Sequence, residues 1–208
     1  LNDNAVLKSP AMLGHISTVI NDETKRLRFQ VEKVLQMSMF DRGKATLRIQ
    51  NVDANTIIAG ITSTFKLKVE KYGGHIETIL GAKDSTVSVD EMHFTNVIFN
   101  LLDNAVKYRR EEVPLSLIVA TRDIKTHGQE RFEVTITDNG IGMRREDLKK
   151  IFEKFYRVST GNRHDVKGFG LGLAYVKKMI AELGGEIAVE SELNTGTKFI
   201  ITLPITQN

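Results

Sequence analysis

The chain has 208 residues, 41% of them hydrophobic, a formal net charge of +3 and no cysteine. That length suits one good domain plus an appendage, since domains cluster at about 100 to 150 residues, and the lack of cysteine removes disulfides and thiolate metal sites. The basic residues are interleaved with acids, as in Arg144-Arg145-Glu146-Asp147-Leu148-Lys149-Lys150, and form no concentrated basic face with aromatic platforms, which argues against a nucleic-acid groove.

No apolar run approaches the roughly 18 residues of a membrane span. The sequence starts at Leu1 rather than Met and is expected to be a fragment of a longer parent. Lys8-Ser9-Pro10 reads as the connection leaving an earlier helix. From Ile16 to Met39, apolar residues at Val19, Ile20, Leu27, Val31, Val34 and Leu35 form a stripe of mostly three- and four-residue steps. This long amphipathic helix cannot bury its stripe alone, and a coiled-coil or bundle partner is expected for it. It closes at Asp41-Arg42-Gly43, so residues 1–43 and 44–208 are expected to be separate units.

Beyond residue 43 the pattern alternates. A strand is expected from Thr46 to Val52. Asp53 caps a helix through Ile57, Ile58, Ile61 and Phe65 that stops at Gly73-Gly74, and strands follow at His75 to Leu80 and Thr86 to Val89. Asp90 caps a second helix reaching about Tyr108. Leu115 to Thr121 and Arg131 to Asp138 read as paired strands joined near His127-Gly128. A third helix follows Gly172 and closes at Gly184-Gly185. The last strands, Glu186 to Ser191 and Thr197 to Leu203, flank a turn at Asn194-Thr195-Gly196. These elements make an α+β fold, a two-layer α/β sandwich with helices on one face of a mixed sheet.

Three signatures in fixed order carry the chemistry: Asn100-Leu-Leu-Asp-Asn104-Ala-Val-Lys107-Tyr108, Asp138-Asn-Gly140-Ile141-Gly142, and Gly168-Phe169-Gly170-Leu171-Gly172-Leu173. At about 100° per residue, Asn100, Asn104 and Lys107 share one sector of their helix, and Phe94, Ile98, Leu101 and Ala105 share another. Two carboxamides and an ammonium suit a phosphate-bound magnesium ion, although an ordinary solvated face has the same composition. Asp138 ends an apolar strand, where a carboxylate can accept a hydrogen bond from the exocyclic amine of adenine. The following Asn-Gly is equally compatible with a plain turn. Its glycines permit positive φ and close approach of a ligand. The third signature opens a helix, whose unsatisfied amides can meet phosphate oxygens. Neither a dinucleotide-binding strand-glycine-helix unit with a downstream acid nor a Gly-x4-Gly-Lys-Ser/Thr loop is present.

Residues 90 to 204 resemble the catalytic domain of sensor histidine kinases, within the nucleotide-binding superfamily shared with gyrase B, Hsp90 and MutL. The asparagine box is similar to Asn100 through Tyr108, and the glycine boxes to Asp138–Gly142 and Gly168–Leu173. Phe152-Glu-Lys-Phe155-Tyr156-Arg157 is similar to the phenylalanine box and Gly196-Thr197 to the last glycine box. The stripe from Ile16 to Met39 resembles the second helix of the dimerisation and phosphotransfer hairpin.

The resemblance implies ATP and magnesium (Mg2+) as cofactors, with Asn104 holding the metal helped by Asn100. It implies that Lys107 and Arg157 contact phosphates, that Tyr108 packs near the nucleotide and that Asp138 binds the adenine amine. Gly140, Ile141, Gly142, Phe155, Lys167, Gly168, Phe169, Gly170, Leu171, Gly172, Leu173 and Thr197 complete the implied site, with a mobile lid from Val158 to Lys167. The implied parent is a homodimer through the hairpin, membrane-anchored, with the present domain in the cytoplasm and a response regulator as partner.

The family's acceptor histidine is followed by Asp or Glu on a helix. His15, His75, His93 and His127 lack that neighbour, and His164-Asp165 sits in the expected lid. The fragment is therefore expected to bind ATP without phosphorylating itself. An ATP-hydrolysing relative would carry a glutamate where Asn100 stands, and an amide is no base. A related serine-phosphorylating kinase and a non-catalytic nucleotide-binding module are the further alternatives.

Overall fold

The computed structural model describes residues 12–14, 16–18, 20, 21, 24, 46–126, 128–158 and 169–206. The chain divides into two compact units, Leu1–Thr46 and Leu47–Asn208. In the first, every described position from 12 to 24 is helical, and the Thr18 hydroxyl donates to the Gly14 carbonyl one turn back at 2.9 Å. His15, most of the stripe to Met39 and the stop at Asp41-Arg42-Gly43 lie outside the described residues.

The second unit runs β1 (Gln50–Asp53), α1 (Ala54–Glu70), β2 (His75–Leu80), β3 (Thr86–Val89), α2 (Glu91–Lys107), β4 (Ser116–Thr126) and β5 (Gln129–Asp138). It continues through α3 (Arg145–Leu148), α4 (Gly172–Glu182), β6 (Glu186–Glu192) and β7 (Gly196–Pro204). Asp53 starts α1 as expected: its carboxylate accepts from the Asn55 and Thr56 amides, satisfying donors that have no partner inside the helix. Asp90 does the same for α2 through the His93 amide at 3.1 Å.

Five strands form a mixed sheet in the order β2-β4-β5-β7-β6, parallel between β2 and β4 and antiparallel elsewhere; β1 and β3 pair separately. Alternation fills one side of the sheet. Leu117 and Val119 on β4, Phe132, Val134 and Ile136 on β5, and Ile201 and Leu203 on β7 are buried. Against them pack Ile58 and Phe65 from α1, Phe94, Ile98 and Leu101 from α2, and Val176, Met179 and Ile180 from α4. At roughly 1.5–3 kcal/mol for each large side chain withdrawn from water, this layer supplies most of the driving force for folding. It is the expected two-layer sandwich.

Several boundaries differ from the sequence expectation, and one short helix is added. The first strand begins at Gln50 rather than Thr46, and β4 continues to Thr126 rather than Thr121. The extension pairs residues 122–126 with 129–133 although Arg122-Asp123-Ile124-Lys125-Thr126 carries no apolar alternation; the backbone ladder and the Arg122–Glu133 ion pair hold it. The four-residue α3 falls within the charged run 144–150, too short for a helical period to register.

Candidate functional site

One cleft, about 630 Å3 to its open mouth, gathers residues from all three signatures. Asn104 and Tyr108 come from the end of α2, and Asp138, Ile141, Gly142 and Met143 from the turn after β5. Thr197 and Phe199 come from β7, Ile151 with Tyr156, Arg157 and Val158 from the segment after α3, and Leu173 from the first turn of α4.

The α2 side is set by packing. Its apolar face is buried, so Asn100 and Asn104, one turn apart, stand at the edge of that face. Asn100 is buried, and its Nδ2 donates to the Asn96 carbonyl at 2.6 Å. A Cβ placed on Gly172 would lie 3.3 Å from Asn100 Oδ1, so that oxygen faces the start of α4. Lys107 goes elsewhere. Its ammonium pairs with Asp103 Oδ2 at 2.5 Å, and Lys68 takes the other oxygen of the same carboxylate at 2.6 Å. Burial alone would raise the Asp103 pKa, but hydrogen bonds and charge from Lys107 and Lys68 outweigh it and hold the carboxyl below its ordinary range.

Asp138 sits where β5 ends, with Oδ1 accepting the Gly140 amide at 2.8 Å. Burial pushes its pKa up to about 6, against the opposing pull of the Gly140 and Thr197 amides. A carboxylate whose charge is poorly solvated on a cleft wall gains from a ligand N–H donor. Burial likewise raises the Tyr108 phenol, partly offset by the Arg157 guanidinium, which puts that cation close to the α2 end of the cleft.

The glycines of the second signature serve the protein's own backbone. Gly142 has φ +62, and a Cβ there would come within 1.9 Å of the Glu192 carbonyl oxygen; one on Gly140 would lie 2.5 Å from the Tyr108 carbonyl oxygen. The sequence assigned this close approach to a ligand. What approaches is chain: the turn wedges between α2 and the β6–β7 hairpin, which aims Asp138 and Ile141 into the cleft. Asn139 completes the anchor, accepting the Ser116 amide at 2.8 Å and donating to the Pro114 carbonyl at 2.9 Å.

On the opposite side the chain is irregular. Phe155 has φ +65 and is 67% exposed, and its amide donates to the Gly170 carbonyl at 3.0 Å. Tyr156 turns into the cleft, with its hydroxyl donating to Asp147 Oδ1 at 2.6 Å. Phe169 is exposed, Leu171 is buried and caps α4 without a side-chain hydrogen bond, and Lys167, Gly168, His164 and most of the expected lid lie outside the described residues.

Of the expected site residues, Asn104, Tyr108, Asp138, Ile141, Gly142, Arg157, Leu173 and Thr197 line the cleft. Asn100, Gly140 and Gly172 stand behind its lining and Lys107 pairs away from it. Met143, Ile151, Tyr156 and Phe199 line it without having been singled out as site residues, and Val158, named only as the start of the expected lid, lines it too. Phe199 was accessible to alternation, because it shares a strand face with Thr197. Tyr156 lay inside the quoted phenylalanine motif.

Residues 89–207 match the model of the family described as histidine kinase-, DNA gyrase B- and HSP90-like ATPases. The sensor protein RprX of Bacteroides fragilis is 62% identical over 208 residues, all of this chain and 39% of that protein. The sensor histidine kinase WalK of Bacillus subtilis is 30% identical over 188 residues, covering 89% of this chain and 30% of WalK. The chain thus spans well under half the length of these relatives. Among solved structures, histidine kinase ThkA in complex with the response regulator protein TrrA superposes with a TM-score of 0.70 at 23% identity, over 99% of this chain and 53% of that one, a likeness of fold.

Proposed function

The chain belongs to the histidine kinase-, DNA gyrase B- and HSP90-like ATPase family, and from that premise we propose that it is the ATP-binding catalytic core of a two-component sensor histidine kinase. Adenine lies in the apolar part of the cleft, among Ile141, Met143, Ile151, Leu173 and Phe199, with its exocyclic amine donating to Asp138. The phosphates extend toward the amides at the start of α4, where Arg157 supplies charge. Lys107 reaches them by exchanging its partner Asp103 for phosphate.

The donor set fits a magnesium ion bound together with phosphate. Among the described residues no group of three or more His, Cys, Asp or Glu forms a metal site, whereas Asn104 and the Asn100 oxygen offer the neutral oxygens that a hard, hydrated cation accepts beside phosphate. When bound, magnesium supplies charge neutralisation for the transferring phosphoryl group. The residues of this chain orient the nucleotide for in-line attack by a histidine nitrogen of the parent's hairpin: the N–P bond forms, the bond between γ-phosphorus and the bridging oxygen breaks, and ADP leaves. The phosphoryl group passes next to an aspartate of a response regulator. We further propose that the parent is a membrane-anchored homodimer with this domain in the cytoplasm; among the described residues no helix is long and apolar enough to cross a membrane.

The observation that carries this reading is the convergence of Asn104 and Asp138, an oxygen donor for a cation and a charge-strained carboxylate, on one cleft. Hydrolysis is disfavoured by Asn100, whose amide is committed to the Asn96 carbonyl and accepts no proton. Mixing the chain with labelled ATP and a separately made hairpin bearing the acceptor histidine tests the reading. Acid-labile, base-stable phosphate on the hairpin is the expected result. Steady release of inorganic phosphate with the hairpin unlabelled would favour the hydrolytic alternative.

A further inference from the structure

A buried polar cluster joins α2 to α4 behind the cleft, and none of the three signatures accounts for it. His93, in the first turn of α2, is buried, and its Nδ1 lies 2.8 Å from the hydroxyl of Tyr175, a buried residue in the first turns of α4. The Asn96 side chain lies near enough to the same phenol to hold its pKa down against burial, and the Asn96 carbonyl accepts from Asn100 Nδ2 at 2.6 Å. Asn100 Oδ1 faces Gly172, three residues before Tyr175. The circuit His93, Tyr175, Asn96, Asn100 therefore runs from the first turn of α2 to the oxygen that faces the start of α4.

Geometry makes this circuit consequential. The start of α4 has no side-chain cap to fix it, and apolar packing alone tolerates small slides of one helix along another, whereas a buried hydroxyl left without its partner is costly. Burial favours the neutral imidazole of His93 and the protonated phenol of Tyr175, whose pKa is raised to about 12. Both groups therefore stay uncharged near neutral pH, and the bond behaves as a fixed strut.

We propose that His93 and Tyr175 are positioning residues: their hydrogen bond sets the distance between the oxygen of Asn100 and the amides opening α4, and so tunes the affinity of the metal and phosphate end of the site. The inference rests on the magnesium-nucleotide reading above. Neither residue lines the cleft or touches the nucleotide in that reading. Their effect belongs to the part of the affinity that magnesium adds, and the adenine end, held by Asp138 on β5, is left alone.

Calorimetric titration of ATP with magnesium and with chelator separates these terms. In Tyr175→Phe, the gain in affinity on adding magnesium is expected to shrink by about tenfold, the size usual for partners behind metal ligands, with affinity in chelator changed less than about twofold. His93→Leu should behave alike, and His93→Asn, which keeps a polar group near the Nδ1 position, should restore most of the gain. Should Tyr175→Phe not fold, the Leu and Asn pair at His93 decides. An unchanged magnesium gain in Tyr175→Phe or His93→Leu overturns the inference, as does an equal loss in magnesium and in chelator. A wild-type chain that gains nothing from magnesium contradicts the underlying reading instead.

Discussion

The two walls of the cleft are built by different physics. Asn104, Tyr108, Asp138, Thr197 and Phe199 stand on a helix and two strands that also carry the core, Asp138, Thr197 and Phe199 on the same sheet face as Ile136 and Ile201, and the turn between them is locked by chain passing against Gly142. Ile151 to Val158 and the start of α4 face them from short turns, with an exposed phenylalanine at positive φ and an uncapped helix end. A wall of regular elements holds one geometry because moving it disturbs the core. The irregular wall holds its geometry through a few hydrogen bonds, such as Phe155 to Gly170 and Tyr156 to Asp147. On the proposed reading, discrimination of the base falls to Asp138 on the first wall and adjustment to the phosphates to the second.

The largest test of that contrast is Gly142→Ala. The new Cβ would meet the Glu192 carbonyl oxygen at 1.9 Å from a backbone at φ +62. A loss of about 3 kcal/mol or more is expected from this clash and strain together, read from urea unfolding; a loss under about 1 kcal/mol would mean that the regular wall gives way easily.

Asp138→Asn comes next and should separate function from stability. Replacing a charged acceptor by a neutral one is expected to weaken ATP roughly tenfold or more at neutral pH, the scale of one charge-assisted hydrogen bond. The empty protein should become more stable at the same time. Its folded pKa of about 6 lies above the ordinary carboxyl value of 3.8, so the stability linked to this group is fully present below about pH 4 and is lost as pH rises through 6. Asn escapes that loss, by about 1–2 kcal/mol at pH 8 and by nearly nothing at pH 4, after discounting for the open side of the cleft. Identical unfolding midpoints for the two proteins at pH 8 would contradict the burial of this carboxylate.

Phe155→Gly is the smallest effect and belongs to the irregular wall. Relief of the left-handed backbone offsets the extra freedom glycine has when unfolded, and little apolar burial is lost from a side chain 67% exposed. A change within about 1 kcal/mol is expected; a loss above 2 kcal/mol would show this wall to be as locked as the other.

Most of the regular wall was legible in the sequence. Asp53 and Asp90 announced their helices, the alternation of Phe132, Val134 and Ile136 announced β5, and the turn at Asn194-Thr195-Gly196 announced β7, because single side chains with strong local roles decide those structures. Less was legible where a side chain had two possible partners. The helical wheel grouped Lys107 with the asparagines, but Asp103 one turn earlier, and Lys68 from α1, compete for charge in the same place. Gly142 was singled out for a ligand, but the body that a side chain there would meet comes from Glu192, fifty residues away in the chain, which no local pattern reveals. The bond between His93 and Tyr175 spans a still longer separation and joins two residues that look like ordinary core positions when read singly.

The central claim is that this cleft holds ATP by its adenine at Asp138 and by magnesium at Asn104. The direct measurement is a calorimetric comparison of ATP and GTP, with magnesium, on the wild-type chain and on Asn104→Ala. The wild-type chain is expected to bind ATP at least tenfold more tightly than GTP, since guanine presents a carbonyl to the Asp138 carboxylate, and Asn104→Ala to lose the magnesium-dependent gain for ATP. Equal affinity for the two nucleotides, or a magnesium gain that survives in Asn104→Ala, would contradict the account.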